Sequence, residues 1–130
     1  MEVDLRSVDA ADLDGLDYQL KRIVADSARA AGVAFHIEKT GDRPSGATPP
    51  QSTIVQAALE ASRAIGVEAQ VDVGSTDANI PISLGIPAIA IGGGGLSGSI
   101  HTSEEWFDSA DRYLGIQRLL TTVAALAGVI

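Results

Sequence analysis

The sequence predicts an α/β fold, and two observations lead to that prediction. Short apolar stretches, alternating or continuous, are separated by longer stretches whose apolar residues recur at helical spacing. Only 4% of the residues are aromatic although 45% are hydrophobic, so Ala, Ile, Leu and Val supply most of the apolar content. That composition is typical of helices packed on a sheet.

Length and charge limit the classes of function. The chain has 130 residues, about one domain, and its formal charge of −8 argues against nucleic acid or an anionic membrane surface as a partner. It has no cysteine, which excludes disulfides and thiolate chemistry and makes a cytoplasmic location the simplest expectation. No signal-peptide core or membrane-spanning stretch is expected from the hydrophobic pattern.

The first elements form a predicted β-α-β unit. Residues 2–6 alternate as a half-exposed strand, Asp9 is a predicted helix N-cap, and Gly32 is a predicted end of that helix. A second alternating strand follows at residues 33–37, in which His36 is interpreted as structural. One helix on two strands is barely stable alone, so we expect another element to complete this layer.

A break separates this unit from the rest. Residues 41–50 contain three prolines and two glycines without periodicity, as expected of a linker. An apolar stripe then predicts a helix ending near Gly66, and residues 67–73 alternate as a strand.

The central stretch runs from residue 74 to residue 102. A polar turn at 74–79 leads into one or two helical turns, a buried parallel-type strand at 86–91, and a glycine-rich loop at 92–95. His101 follows this loop. Because open α/β sheets bind ligands at the carboxyl ends of their strands, we expect a functional site here.

Three polar residues indicate where the last helix begins. Thr102 and Glu105 have the spacing of a capping box, and Asp108 is a predicted N-cap. The apolar stripe of that helix consists of Tyr113, Ile116, Leu119, Leu120, Val123, Ala124 and Ala127.

Each candidate site residue has two interpretations. His101, near Glu104 and Glu105, is either a zinc ligand or a loop histidine satisfied by backbone carbonyls. Ser75 and Thr76 either bind an anion or cap a helical turn.

Two further features are less specific. Arg43 either binds a substrate carboxylate or is a solvated charge. The glycines at 93, 95 and 98 match a dinucleotide-binding pattern only weakly, because no helix is expected to follow them directly.

The joint order of these motifs resembles the zinc metallopeptidase and amidohydrolase family of peptidase T, acetylornithine deacetylase, carboxypeptidase G and aminoacylase. The matching segments are Val3 to Ser7, Gly41-Asp42-Arg43-Pro44, the 74–79 turn, residues 84–88, and Ile100-His101-Thr102 with Glu105. The resemblance covers nearly the whole chain. It implies that residues 1–40 are the second half of a ferredoxin-like lid and dimerisation domain, 41–50 a hinge linker, and 51–130 the last part of the catalytic domain.

The resemblance also implies functional roles. His101 matches the family's last zinc ligand, in a site that holds two zinc ions. The substrate's carboxylate end is expected near Arg43, Ser75, Thr76, Asp77, Asn79, Gly93, Gly94 and Gly95.

The chain lacks counterparts of the family's other ligands and general base, so no residue is assigned as catalytic. Two hypotheses remain. The chain is the C-terminal part of a zinc hydrolase acting on small peptides or N-acyl amino acids, inactive without an N-terminal half. Alternatively, it is a small-carboxylate-binding or oligomerisation module. A homo-oligomer, most simply a dimer, is expected in either case.

Overall fold

Helices supply most of the regular structure in the computed structural model, which describes residues 1–129. The mixed helix and strand content expected from the sequence is confirmed. The elements are α1 (Ala10–Ala31), α2 (Thr53–Ala64), α3 (Asn79–Ser83), β1 (Leu96–Gly98), β2 (Trp106–Asp108) and α4 (Arg112–Leu126).

The ends of α1 lie where the sequence predicts them. The Asp9 carboxylate accepts hydrogen bonds from the backbone N–H groups of Ala11 at 2.8 Å and Asp12 at 3.1 Å. At the other end, Gly32 adopts the left-handed conformation (φ 67°) and its N–H donates to the carbonyls of Ala28 and Arg29. Side-chain capping therefore satisfies N–H groups that a helix start otherwise leaves unpaired.

The core of the second half of the chain lies between α2 and α4, which pack against each other. The buried residues of the two helices are small: Val55, Ala58, Ala61 and Ser62 on α2, and Gly115 and Thr122 on α4. The buried hydroxyls are satisfied within their own helices, because Ser62 donates to the Ala58 carbonyl and Thr122 to the Arg118 carbonyl. Small side chains let the two helix backbones approach closely.

Within residues 1–129 the only sheet is an antiparallel pair, β1 with β2. Its register places Leu96 opposite Asp108, Ser97 opposite Phe107 and Gly98 opposite Trp106. Gly98 fits this register because a Cβ there would lie 2.5 Å from the Trp106 indole nitrogen. The hairpin forms in the stretch for which the sequence predicts a loop and a capping box.

The strands predicted at residues 2–6, 33–37, 67–73 and 86–91 are not assigned as strands in the structure. The prediction of a parallel sheet is therefore not met among the described residues. Three contacts give a physical reason for residues 67–73 and 86–91. The N–H groups of Val67 and Ile86 bond back to carbonyls of the preceding helical turns, and the Thr48 hydroxyl binds both the N–H and the C=O of Ala88. These backbone groups consequently pair locally rather than with a neighbouring strand.

The predicted caps near the last helix are wrong. No helix follows Thr102 and Glu105; instead, the Thr102 hydroxyl accepts from the Glu104 N–H in a turn that leads into β2. Asp108 ends β2 and accepts from the Ala110 N–H at 2.9 Å. The N-cap of α4 is Asp111, three residues later.

The face of α4 that the sequence predicts as buried is exposed. Its buried positions are Gly115 and Thr122, whereas the large side chains of the stripe, including Tyr113, Ile116 and Leu120, are exposed. A Cβ on Gly115 would meet the backbone of Gly93, so a large side chain does not fit at that position. The periodicity thus identified an amphipathic helix but not the side that packs against α2.

Contacts between residues divide the chain into two units. Unit 1 contains residues 1–47 and 73–86, and unit 2 contains residues 48–72 and 87–130. Each unit joins two segments distant in sequence. No helix among the described residues combines the length and apolar character needed to cross a bilayer.

Candidate functional site

The polar turn before α3 is held by its own side chains. The Asn79 amide oxygen accepts from the Thr76 N–H at 2.8 Å, and the Thr76 hydroxyl accepts from the Ala78 N–H at 3.2 Å. The capping interpretation of Thr76 is therefore supported by geometry, and Asn79 shares that role. Both side chains fix the shape of the turn.

Unit 1 brings Arg43 to this turn from 32 residues away in sequence. Its Nη1 donates to the Ser75 hydroxyl at 3.2 Å, and its Nη2 lies 3.7 Å from a carboxylate oxygen of Asp77. The Asn79 amide nitrogen donates to the Pro44 carbonyl at 3.0 Å, so the 41–47 segment is attached at a second point. Five residues that the sequence singles out, Arg43, Ser75, Thr76, Asp77 and Asn79, thus form one group, here called the Arg43 cluster.

The Arg43 cluster has the chemistry of an anion-binding surface. The Arg43 guanidinium is only half-buried, and Asp77 beside it is fully exposed, so their 3.7 Å pairing is readily replaced. An incoming carboxylate can accept two parallel hydrogen bonds from a guanidinium, which a 3.7 Å contact does not provide. The adjacent Ser75 hydroxyl adds a further donor.

The glycine-rich loop lies in unit 2, against the first turns of α4. Gly94 and Gly95 adopt left-handed conformations (φ 80° and 79°). A Cβ on Gly94 would lie 2.7 Å from the Arg112 carbonyl oxygen, and a Cβ on Gly95 would lie 2.8 Å from the Phe107 ring. Glycine is required at both positions for conformation and for space. The loop is consequently a packed element of the fold.

Two residues of α4 that hold this loop were not singled out in the sequence. A Cβ on Gly115 would overlap the carbonyl group of Gly93, and the Arg118 guanidinium donates a hydrogen bond to the Gly92 carbonyl. A signal was present: glycine inside a predicted helix is unfavourable, and its usual reason is close approach of another backbone. Gly115 and Arg118 lie on one face of α4 because they are three residues apart.

His101 lies in the loop between β1 and β2, exposed and in the left-handed conformation (φ 65°). Its backbone N–H donates to the Glu105 carboxylate at 3.3 Å. Glu105 thus contacts the backbone of His101 and fixes the loop. His36 is also exposed, on an extended segment of unit 1.

The donor set does not fit a zinc centre. Among residues 1–129, no group of three or more His, Cys, Asp or Glu side chains is placed to hold a metal ion. A catalytic zinc takes three protein ligands and a structural zinc takes four. His101 with its neighbours Glu104 and Glu105 does not supply such a set of ligands.

Comparison with known proteins gives no assignment. No family model matches the sequence, and a search of curated proteins finds no match.

Proposed function

We propose that this chain is the C-terminal part of a zinc-dependent peptidase or amidohydrolase that acts on small peptides or N-acyl amino acids. The observation that carries the proposal is the Arg43 cluster. Two motif segments that resemble the family, residues 41–44 and 74–79, fold together in unit 1 through Arg43, Pro44 and Asn79. The resemblance and the geometry therefore point to the same residues.

The role proposed for this chain is binding. The Arg43 cluster holds the carboxylate end of the substrate. Gly93, Gly94 and Gly95 of the other unit are substrate-binding positions because the family resemblance assigns them that role. His101 contributes one ligand to a zinc site whose other ligands, and whose general base, come from an N-terminal half. Hydrolysis by two metal ions needs both ions held and a carboxylate to activate water. The isolated chain is accordingly inactive.

We also propose a parallel sheet, a lid half and a hinge linker for the assembled protein. Residues 67–73 and 86–91 become parallel strands when the N-terminal half supplies neighbouring strands, and residues 1–40 form half of a lid. Residues 41–50 are then the hinge linker. Support comes from the alternating residues Val33, Phe35, Val71 and Val73, which are exposed in the structure.

The lid half is also the proposed contact in a homo-oligomer. Val33 and Phe35 expose apolar side chains on a segment outside the helices, and an alternating segment of this kind can pair with a copy of itself as an edge strand. Strand pairing across a two-fold axis satisfies both copies equally.

The Arg43 cluster also favours a second candidate, a module that binds small carboxylates without catalysis. The presence or absence of a reading frame for a metal-binding half directly upstream separates the two candidates.

Titration of the isolated chain tests the binding role shared by both candidates. N-acetyl amino acids are expected to shift NMR signals of residues 43–45 and 74–79, whereas the corresponding primary amides are not. Arg43→Ala removes the response, and Arg22→Ala on α1, the matched control, retains it. Equal responses from the chain and Arg43→Ala would overturn the binding role.

A further inference from the structure

Two opposite charges lie side by side in the Arg43 cluster. The Nη2 atom of Arg43 lies 3.7 Å from the Oδ1 atom of Asp77, which is longer than a charge-assisted hydrogen bond. The Nη1 atom of Arg43 donates to the Ser75 hydroxyl, and this bond holds the guanidinium beside Asp77. The guanidinium is about half exposed and the carboxylate is fully exposed, so a ligand can reach both charges.

The Asp77 carboxylate has no part in the bonds that shape its own turn. The Ala78 N–H donates to the Thr76 hydroxyl at 3.2 Å, and the Thr76 N–H donates to the Asn79 side chain at 2.8 Å. Within residues 1–129, the ion pair that the Asp77 carboxylate forms is the one with Arg43. The turn therefore places a negative charge beside Arg43 without needing that charge for its own shape.

The gap between the two groups fits the two charges of a free α-amino acid. The ammonium nitrogen and the nearer carboxylate oxygen of such a molecule are about 3 Å apart by standard bond lengths. Each would lie about 2.8 Å from its partner, the carboxylate from Arg43 and the ammonium group from Asp77. Together with the 3.7 Å gap, these lengths close a four-sided ring in which the charges alternate in sign. An N-acyl amino acid supplies only the carboxylate, which then lies beside the negative charge of Asp77.

The charge of the chain also favours a ligand that has no net charge. With 17 acidic and 9 basic residues, the chain carries −8 and repels small anions. Lys39 is the basic residue nearest to Arg43 in sequence, and its charge is offset by Asp42, its partner at 2.8 Å. A zwitterion is not repelled by the net charge, and its ammonium group is attracted by Asp77.

We propose that Arg43 and Asp77 together select a free α-amino acid, with its carboxylate on Arg43 and its ammonium group on Asp77. The inference rests on the binding role proposed above and names a narrower class of ligand for the same site. Hydrolysis of an N-acyl amino acid consumes one water molecule and leaves a carboxylate on the acyl fragment and an ammonium group on the amino acid. The amino acid product carries both charges, so the cluster holds it more tightly than the substrate.

Asp77→Asn tests the selection because it removes one charge and keeps the size of the side chain. NMR titration at low salt measures the binding of L-alanine and of N-acetyl-L-alanine to the native chain and to the variant. The native chain is expected to bind L-alanine about threefold more tightly, because an exposed ion pair changes a binding constant by roughly two- to fivefold. Asp77→Asn is expected to bind N-acetyl-L-alanine about threefold more tightly, because the ammonium group of L-alanine then meets only the like charge of Arg43.

Asp26→Asn is the matched control. Asp26 forms an exposed ion pair with Arg29 on α1 at 2.9 Å, so this variant changes the net charge equally but outside the cluster. It is expected to leave the order of the two ligands unchanged. L-Alaninamide has the ammonium group but no carboxylate, and it is expected to bind the native chain more weakly than L-alanine.

Three results would each overturn the selection. They are the same order of ligands in the native chain and in Asp77→Asn, a reversal of that order by Asp26→Asn, and binding of L-alaninamide as tight as that of L-alanine. Binding of N-acetyl-L-alanine that survives Arg43→Ala would instead contradict the binding role itself. Binding that needs Arg43 but does not respond to Asp77→Asn would contradict only the selection, and no binding of any of the three ligands would overturn both.

Discussion

At Gly115 the backbone of α4 lies directly against the carbonyl of Gly93. Gly115→Ala adds a methyl group where backbone rather than a flexible side chain must move. We expect it to lower the free energy of unfolding by about 1–3 kcal/mol, despite alanine's higher helix propensity. Urea denaturation monitored by circular dichroism measures the change.

Gly15→Ala is the matched control for Gly115→Ala. Gly15 lies inside α1, and a Cβ there would meet no atom within 4 Å. The substitution is expected to stabilise the chain by about 0.5–1 kcal/mol. Stabilisation by both alanines would contradict the packing described for the glycine-rich loop.

Asn79 is the residue on which the Arg43 cluster depends most. Its amide group donates to the Pro44 carbonyl and accepts from the Thr76 N–H. Asn79→Ala removes both hydrogen bonds and is expected to cost about 1–2 kcal/mol of unfolding free energy. Asn79→Asp keeps the acceptor and should cost less, as chemical denaturation of the two variants can establish. An Asn79→Ala chain as stable as the parent would show that the turn does not need this side chain.

Among the elements, the 41–48 segment is held by side chains rather than by a backbone ladder. Arg43, Asn79 and Thr48 make the bonds that attach it. Its amides are expected to exchange with solvent much faster than those of α2, whose N–H groups are bonded within a helix. Hydrogen exchange followed by NMR measures both sets together. Protection of residues 42–48 equal to that of α2 would contradict a hinge at this position.

Both ends of α1 and the end of α2 could be predicted from the sequence because their signals are local. Asp9, Gly32 and Gly66 act through their own conformation and their own hydrogen bonds, so neighbouring sequence is sufficient. The same holds for the turn at Thr76 and Asn79. These features do not depend on the rest of the chain.

Strands could not be predicted in this way, because a strand requires a partner whose position is not encoded locally. The alternation at residues 33–37 and 67–73 is real, but the structure gives neither segment a neighbouring strand. The β1–β2 hairpin was missed because both strands are only three residues long and β1 lies among glycines. Similarly, which face of α4 is buried depends on elements distant in sequence, because Gly115 packs against the backbone of the glycine-rich loop and Leu120 does not.

At the scale of the whole molecule, many large apolar side chains are exposed. They lie on α4, including Ile116 and Leu120, and also on segments outside the helices, including Val33 and Val71. Burial in an assembly would contribute stability roughly in proportion to the apolar area removed from water. We propose that an association partner covers part of this surface.

The central claim is that this chain supplies binding residues but not the machinery of hydrolysis. The most direct test measures turnover of dipeptides and N-acyl amino acids with excess zinc. It compares the rate of the purified chain with the rate of the His101→Ala variant. We predict equal, background rates for both proteins, because His101 lies outside any group of three donors in residues 1–129. Turnover by the parent chain that His101→Ala lacks would contradict the account.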